Sequence, residues 1–155
     1  KKGKYSPVIL RTEFRIQDWI MIEYKTFDSK ELKRIKQIYE SERWLAYLDD
    51  DKKLKKAFDN SLFLYGAFSD ESLVGFVRVV GDGEHVVLVQ DLIVMNDYQG
   101  KGIGSELFSF VLDKYKEVRF FEVVADSNDE KLNEFYKSFG LVSVGSEYMI
   151  AYCRK

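Results

Sequence analysis

The residues whose types and spacing most plainly suggest chemistry are Gln99-Gly100-Lys101-Gly102-Ile103-Gly104. They lie between a β-branched run ending at Val94 and a periodic apolar stretch beginning at Ile103, where a strand is expected to hand over to a helix. Glycines at 100, 102 and 104 let the backbone turn sharply and approach a ligand, and the first amides of a helix have no intrahelical acceptor. Such amides, at the positive end of the helix dipole, hold anions. The segment therefore predicts a cradle for a pyrophosphate. Two phosphate loops are excluded by spacing. The dinucleotide pattern G-x-G-x-x-G lacks its third glycine whether counted from Gly100 or Gly102. The pattern G-x-x-x-x-G-K-[ST] has no Lys-Ser or Lys-Thr pair in the required place. What remains is Q-x-x-G-x-G, met by Gln99, Gly102 and Gly104.

A second segment, residues 128–141, ends in Phe135-Tyr136-x-x-x-Gly140-Leu141. A helix pattern and the strand-like run Phe120 to Ala125 separate it from the glycine loop. In this order the two segments resemble the acetyl-coenzyme A loop and the F-Y-x-x-x-G-F signature of the GNAT superfamily of N-acetyltransferases. Leu141 departs from the usual aromatic, a size-preserving core change. The stretches Leu73 to Gly83 and Gln90-Asp91-Leu92-Ile93-Val94 further resemble the arylalkylamine, or serotonin-type, branch. The resemblance covers roughly residues 21–142.

It implies acetyl-coenzyme A as acetyl donor, with the pyrophosphate on the amides of Gln99, Gly100, Lys101, Gly102, Ile103 and Gly104. The pantetheine arm is expected beside Leu92, Ile93 and Val94, bonded to their backbone. Such bonding needs an open strand edge, which the family obtains by splaying the strands before and after the loop. Asn128 reads as the N-cap of the last helix, and the resemblance also allows it, with Asn133, to touch coenzyme A. Acetyl transfer requires a neutral amine, yet an alkylamine with a pKa of about 10.4 is mostly protonated at neutral pH, so a base must help. An acid must protonate the departing thiolate. By resemblance Tyr136 is the acid. Asp91, a carboxylate among apolar strand residues where desolvation raises a pKa, is one candidate base. Glu122 on the following strand is the other, since in some family members a carboxylate there acts through water. Trp44, Tyr47 and Phe58 lie where the family builds its acceptor pocket, although hydrophobic core is the default reading for such residues. His85 reads as a solvated loop histidine.

The elements that must position these groups can be read from periodicity. Met21 to Phe27 alternates as a first strand, Ser29 to Arg43 has capping-box spacing and helical repeats, and Asp51 to Asn60 predicts a second helix. Strands follow at Leu62 to Phe68, Leu73 to Val80 and His85 to Val94. A helix over Gly102 to Lys116, a strand at Phe120 to Ala125 and a helix over Asp129 to Phe139 come next, with closing strands at Leu141 to Val144 and Tyr148 to Cys153. Pattern alone gives a mixed α/β (α+β) chain. The resemblance gives the GNAT fold, a mostly antiparallel twisted sheet splayed at the acetyl-coenzyme A site and flanked by about four helices.

The 155 residues suit one domain, expected over 21–155. Met21 reads as the natural start, with residues 1–20 either a non-native extension or an authentic arm that packs on the domain. Twenty-four basic and 26 acidic residues leave a net charge of −2, not the basic excess of a nucleic-acid binder. The one cysteine, Cys153, can form neither an intrachain disulfide nor a Cys-based metal site, so no metal is expected and a reducing, cytoplasmic setting fits. The longest apolar runs are strand-sized, and no membrane partner is expected. The leading expectation is direct acetyl transfer to a small primary amine. A protein amine as acceptor, or a non-catalytic coenzyme A-binding sensor, are the alternatives, and the resemblance leaves room for a homodimer.

Overall fold

The computed structural model describes residues 21–143. Strand β1 (Ile22–Thr26) is followed by a 3-10 turn at Ser29–Glu31 and helices α1 (Leu32–Ser41) and α2 (Asp51–Asp59). Three strands succeed them, β2 (Phe63–Ser69), β3 (Ser72–Gly81) and β4 (Val86–Val94), then α3 (Ile103–Lys114), β5 (Phe120–Val123) and α4 (Glu130–Ser138). The sheet order is β1-β2-β3-β4-β5, antiparallel until β5, which runs parallel to β4. This is the expected mixed α/β architecture with four helices. Of the closing strand expected at Leu141 to Val144, residues 141–143 are described and form no strand; Val144, the strand expected at Tyr148 to Cys153 and residues 1–20 lie outside the described residues. No helix among the described residues is long and apolar enough to cross a membrane.

Alternation divides the core. Along β3, Phe76 faces α1 and α2 in a cluster with Ile35, Ile38, Tyr39, Leu54, Phe58 and Ile93. Its neighbours Val77 and Val79 face α3, packing with Val87, Val89, Leu107, Phe108 and Val111. A strand buried on both faces reads as a nearly continuous apolar run, as Leu73 to Val80 does. Each fully buried Phe of the core contributes roughly 1.5–3 kcal/mol.

Local chemistry sets the ends of the helices. Asp28 accepts from the Lys30 amide, and Asp50 accepts from the amides of Lys52 and Lys53. The cap of α4 is Asp129, whose side chain accepts from the Leu132 amide at 2.9 Å, rather than Asn128 as expected. Asn128 sits one residue too early and bonds to Asp126 instead. The predicted helix over 29–43 also ends sooner, because Arg43 takes the left-handed conformation (φ 60°) and turns the chain into a 3-10 turn at Leu45–Tyr47.

The feature that matters most for the site is in β4. Arg78 pairs with Asp91 and Val79 with Val89, so Gln90 is an extra residue, a β-bulge. Val87 and Val89 face α3, and without the bulge Asp91 would follow them. The extra residue reverses the alternation and places Asp91 and Ile93 on the α1 side.

Entry into β4 is set by the preceding loop. Gly81 has φ 137°, and a Cβ there would stand 2.2 Å from the Val86 carbonyl oxygen, so only glycine fits. Asp82 Oδ1 accepts from the amides of Glu84, His85 and Val86 at 2.8–3.0 Å. These bonds hold its carboxyl down at about 2. A carboxyl lowered on folding stabilises above its unfolded pKa and loses that contribution as pH falls through the folded value. Thermal unfolding followed between about pH 4 and pH 2 should therefore show a fall in stability that is shallower in Asp82→Asn; equal slopes would remove Asp82 from this role.

Candidate functional site

The glycine loop follows β4 through a 3-10 turn at Asn96–Tyr98. Gly100 and Gly102 have φ 71° and 82°, left-handed values that disfavour other residues. A Cβ at either would meet nothing within 4 Å. The conformation, rather than crowding within the chain, thus calls for glycine, and the space in front of the loop is open. Gly102 is the N-cap of α3 and supplies no side-chain cap. Among the described residues, none of the amides from Gly100 to Ser105 donates a hydrogen bond, and the first to do so is Glu106, to the Gly102 carbonyl. A run of unpaired amides at a helix head, with open space before it, is able to hold an anion, the role expected of this loop. Lys101 does not reach outward: its Nζ donates to the Asp97 carbonyl at 2.8 Å beside the Tyr98 ring. Gln99 donates to the Val94 carbonyl and to Glu42 Oε2, both at 2.8 Å.

The strand leading to this loop has an open edge. β5 pairs with β4 only from Val86 to Val89, so nothing in the described sheet covers Gln90 to Val94 on that side. The Met95 amide donates to the Val74 carbonyl of β3. Alternation then turns the backbone groups of Ile93 toward β3 and those of Leu92 and Val94 toward the open edge. The side chains of Ile93 and Val94 are core, on opposite faces.

On the α3 side, Tyr136 of α4 packs edge-on against Phe108 with ring centres 5.2 Å apart. Burial pushes its phenol up to about 12, so the hydroxyl is protonated at neutral pH and can donate a proton. Asn133, one turn earlier, uses its Nδ2 to pin the turn before α4, donating to the carbonyls of Asp126 and Asp129.

The two candidate bases have contrasting surroundings. Asp91 is 1% exposed. Its Oδ2 pairs with the Arg78 guanidinium and accepts from the Tyr39 hydroxyl at 3.0 Å, whereas Oδ1 is buried without a partner. Arg78, also buried, lies over the Phe58 ring and reaches toward Ser61. Burial first, then the Asp91 charge, raises the Tyr39 pKa. Glu122 is exposed and registers opposite Leu88. Since its neighbours Phe121 and Val123 pack on the α3 side, Glu122 points to the other face.

That face carries a cavity of about 280 Å³ lined by Trp44, Tyr47, Leu88, Val89, Gln90 and Val124, where β4 and β5 diverge. Tyr39 stacks beneath it, 5.9 Å from Trp44 and 4.9 Å from Tyr47. Phe58 does not line the cavity but is buried in the α1–α2 core at 1% exposure. His85 is exposed in the β3–β4 loop, as expected. Sequence reasoning missed Arg78, Tyr39 and Gln90. The signal for Arg78 was present: a cation within Phe76-Val77-Arg78-Val79-Val80 requires a buried anion, and Asp91 is the matching charge in the next strand. Among the described residues no group of three or more His, Cys, Asp or Glu could hold a metal ion.

Comparison with known proteins identifies the family and the fold. Residues 24–154 match the family model described as the acetyltransferase (GNAT) domain. The chain is similar to an uncharacterized ycf52-like N-acetyltransferase of Prochlorococcus marinus, 32% identical over 126 residues that make up 79% of this chain and 67% of the relative. It is also similar to the structure of a GNAT-family acetyltransferase from Streptococcus pneumoniae, with TM-score 0.71, 32% identity, and coverage of 87% of this chain and 100% of that one. An aminoglycoside N-acetyltransferase in complex with CoA shares the fold alone, with TM-score 0.69 and 12% identity over 91% of this chain and 99% of its own.

The Asp91–Arg78 pair generates a stability prediction. Asp91→Ala strands a buried guanidinium and should cost about 3–5 kcal/mol in denaturant unfolding, whereas replacing both partners by apolar residues should recover most of that loss. If the double replacement is as unstable as the sum of the single ones, the two charges are not a unit.

Proposed function

This chain belongs to the GNAT family of acetyltransferases, and on that premise we propose that it transfers an acetyl group from acetyl-coenzyme A directly to the primary amine of a small molecule with an aromatic or apolar body. The observation that carries the proposal is the open edge of β4 beyond Val89, with unpaired amides at its end and an aromatic-walled cavity beside it. The donor's pyrophosphate suits the amides of Gly100 to Gly104, and its pantetheine amides suit the open-side backbone of Leu92 and Val94. Asn128 and Asn133 stand at the head of α4, in reach of the donor under this reading. The donor supplies an activated thioester carbonyl; the chain supplies placement and proton transfer.

In this mechanism the neutral amine attacks the thioester carbon, and the C–S bond breaks as the amide forms. Tyr136 protonates the departing thiolate, a role that suits a phenol kept neutral by burial. The amine's proton leaves through water to a carboxylate, Glu122 or Asp91. Glu122 has the direct access to solvent; Asp91 has one oxygen without a partner but must act from within the core. Trp44 and Tyr47 suit a cationic amine with an aryl group, by stacking before deprotonation and by burial of the apolar body. That acceptor class agrees with the arylalkylamine-type resemblance. We place the reaction in the cytoplasm, on the strength of the chain's composition and single cysteine.

The direct test is release of coenzyme A thiol from acetyl-coenzyme A across aryl-alkylamines, polyamines, amino sugars and lysine peptides. Turnover with the aryl-alkylamines is expected. Turnover on lysine peptides alone moves the acceptor to a protein amine, and cofactor binding without any turnover makes the chain a sensor. Tyr136→Phe should lower kcat on the order of a hundredfold with little change in donor affinity; equal loss in both, or none, removes Tyr136 as the acid. Gly102→Ala, forced into a left-handed conformation, should weaken coenzyme A binding about tenfold by calorimetry, and unchanged affinity would shift the donor site away from this loop.

A further inference from the structure

The unpaired amides begin immediately after Gln99, and Gln99 is tied across the molecule. Its Nε2 donates at 2.8 Å to the Val94 carbonyl and at 2.8 Å to Glu42 Oε2. Glu42 lies at the C-terminal end of α1, with its other oxygen accepting from Ser41 Oγ at 3.2 Å and its amide donating to the Ile38 carbonyl at 3.2 Å. The next residue, Arg43, holds a left-handed conformation that a side chain-bearing residue rarely adopts. After it, the Trp44 amide donates to the Tyr39 carbonyl at 2.8 Å, and the Trp44 ring becomes a wall of the cavity. A single side-chain bond therefore joins the anion-binding loop to the turn that aims the cavity wall. It is a charge-assisted bond, stronger than one between neutral groups.

We propose that Glu42 is a positioning residue through which occupancy of the Gly100–Ser105 amides sets the placement of Trp44, coupling the donor site to the acceptor cavity. The inference rests on the acetyltransferase reading to the extent that a diphosphate-bearing donor occupies the loop. An anion on those amides fixes the backbone at Gln99. The fixed amide group holds Glu42, and Glu42 restrains the strained turn at Arg43 from which Trp44 projects. By linkage, an acceptor that orders Trp44 tightens donor binding by the same factor. Glu42 touches neither substrate.

The test uses coenzyme A itself as the probe and needs no acceptor. The chain has two tryptophans and ten tyrosines, and Trp19→Phe leaves Trp44 as the only tryptophan, excited selectively at the red edge of the absorption band where the tyrosines do not absorb. Calorimetry reports coenzyme A binding, while acrylamide quenching of Trp44 emission reports the cavity wall. In the Trp19→Phe parent, saturating coenzyme A should reduce quenching about twofold. With Glu42→Ala added, coenzyme A should still bind within about threefold of the parent affinity, but Trp44 should no longer respond. Glu42→Gln keeps an oxygen acceptor in reach and should restore the response. The inference is overturned if coenzyme A binds the parent with no change at Trp44, or if the response survives Glu42→Ala. Failure of the parent to bind coenzyme A at all overturns the acetyltransferase reading itself, and calorimetry separates that outcome from the others.

Discussion

One extra residue in β4 divides that strand into two regimes, and the geometry of the site depends on the division. Up to Val89, β4 is an interior strand with β3 on one side and β5 on the other. At Gln90 the ladder with β3 takes up a bulge, and the ladder with β5 has ended. A bulge bends its strand and increases its local twist, so the parallel neighbour cannot follow. Beyond the bulge the ladder with β3 continues, but the backbone groups on the β5 side are released from sheet pairing, where a ligand with amide groups can use them. The same bulge reverses the side-chain alternation, which is why one strand has Val87 and Val89 packing on α3 and Asp91 reaching under α1.

Bringing Asp91 to that face creates a buried charge, and the structure answers with Arg78 and Tyr39. Such a pair offsets desolvation by mutual attraction, and its net contribution to stability is small. Its effect on geometry is larger. Tyr39 donates to Asp91 with its hydroxyl and stacks on Trp44 and Tyr47 with its ring, so the polar interior of the sheet and the aromatic wall of the cavity share one side chain. Gln90 adds a weak contact to the Tyr47 hydroxyl at 3.5 Å. The segment between α1 and α2 thus rests on β4 at the bulge, at Asp91 and, through Gln99, just beyond the strand's end.

The loop proposed to hold the donor works on a different principle. Its function depends on bonds that are not made: the α3 amides lack acceptors because Gly102 caps the helix without a side chain. A Ser or Asp there would satisfy an amide that the ligand needs. Asp50 and Asp129 cap α2 and α4 in this way, and Asp28 caps the 3-10 turn that leads into α1. Tyr136 approaches from α4, held against Phe108 in the apolar layer that also buries α3.

The sequence by itself determined the elements, their order and the glycine loop, because period, turn residues and glycine conformation are local properties. It pointed to Gln99 to Gly104 as a candidate cradle, of which the Gln99 amide is bonded to the Asn96 carbonyl and only the amides from Gly100 onward are unpaired, and it marked the α4 segment carrying Tyr136 and the meander of strands. What it could not show were relations between residues far apart in the chain. The bulge at Gln90 is a matter of register between two strands, invisible in either alone, and it decided which face Asp91 occupies. Whether Asp91 stood alone or paired was decided by Arg78 and Tyr39, 13 and 52 residues away. Phe58 lies where the family builds its pocket, with core as the default reading, and the packing of α2 on the sheet chose core. Gln99 was legible as part of a loop motif, yet its bond to Glu42, 57 residues distant, exists only because α1 ends where β4 does. Local preference specifies conformation; only the closing of the sheet and helices on one another specifies which charges, rings and open edges meet.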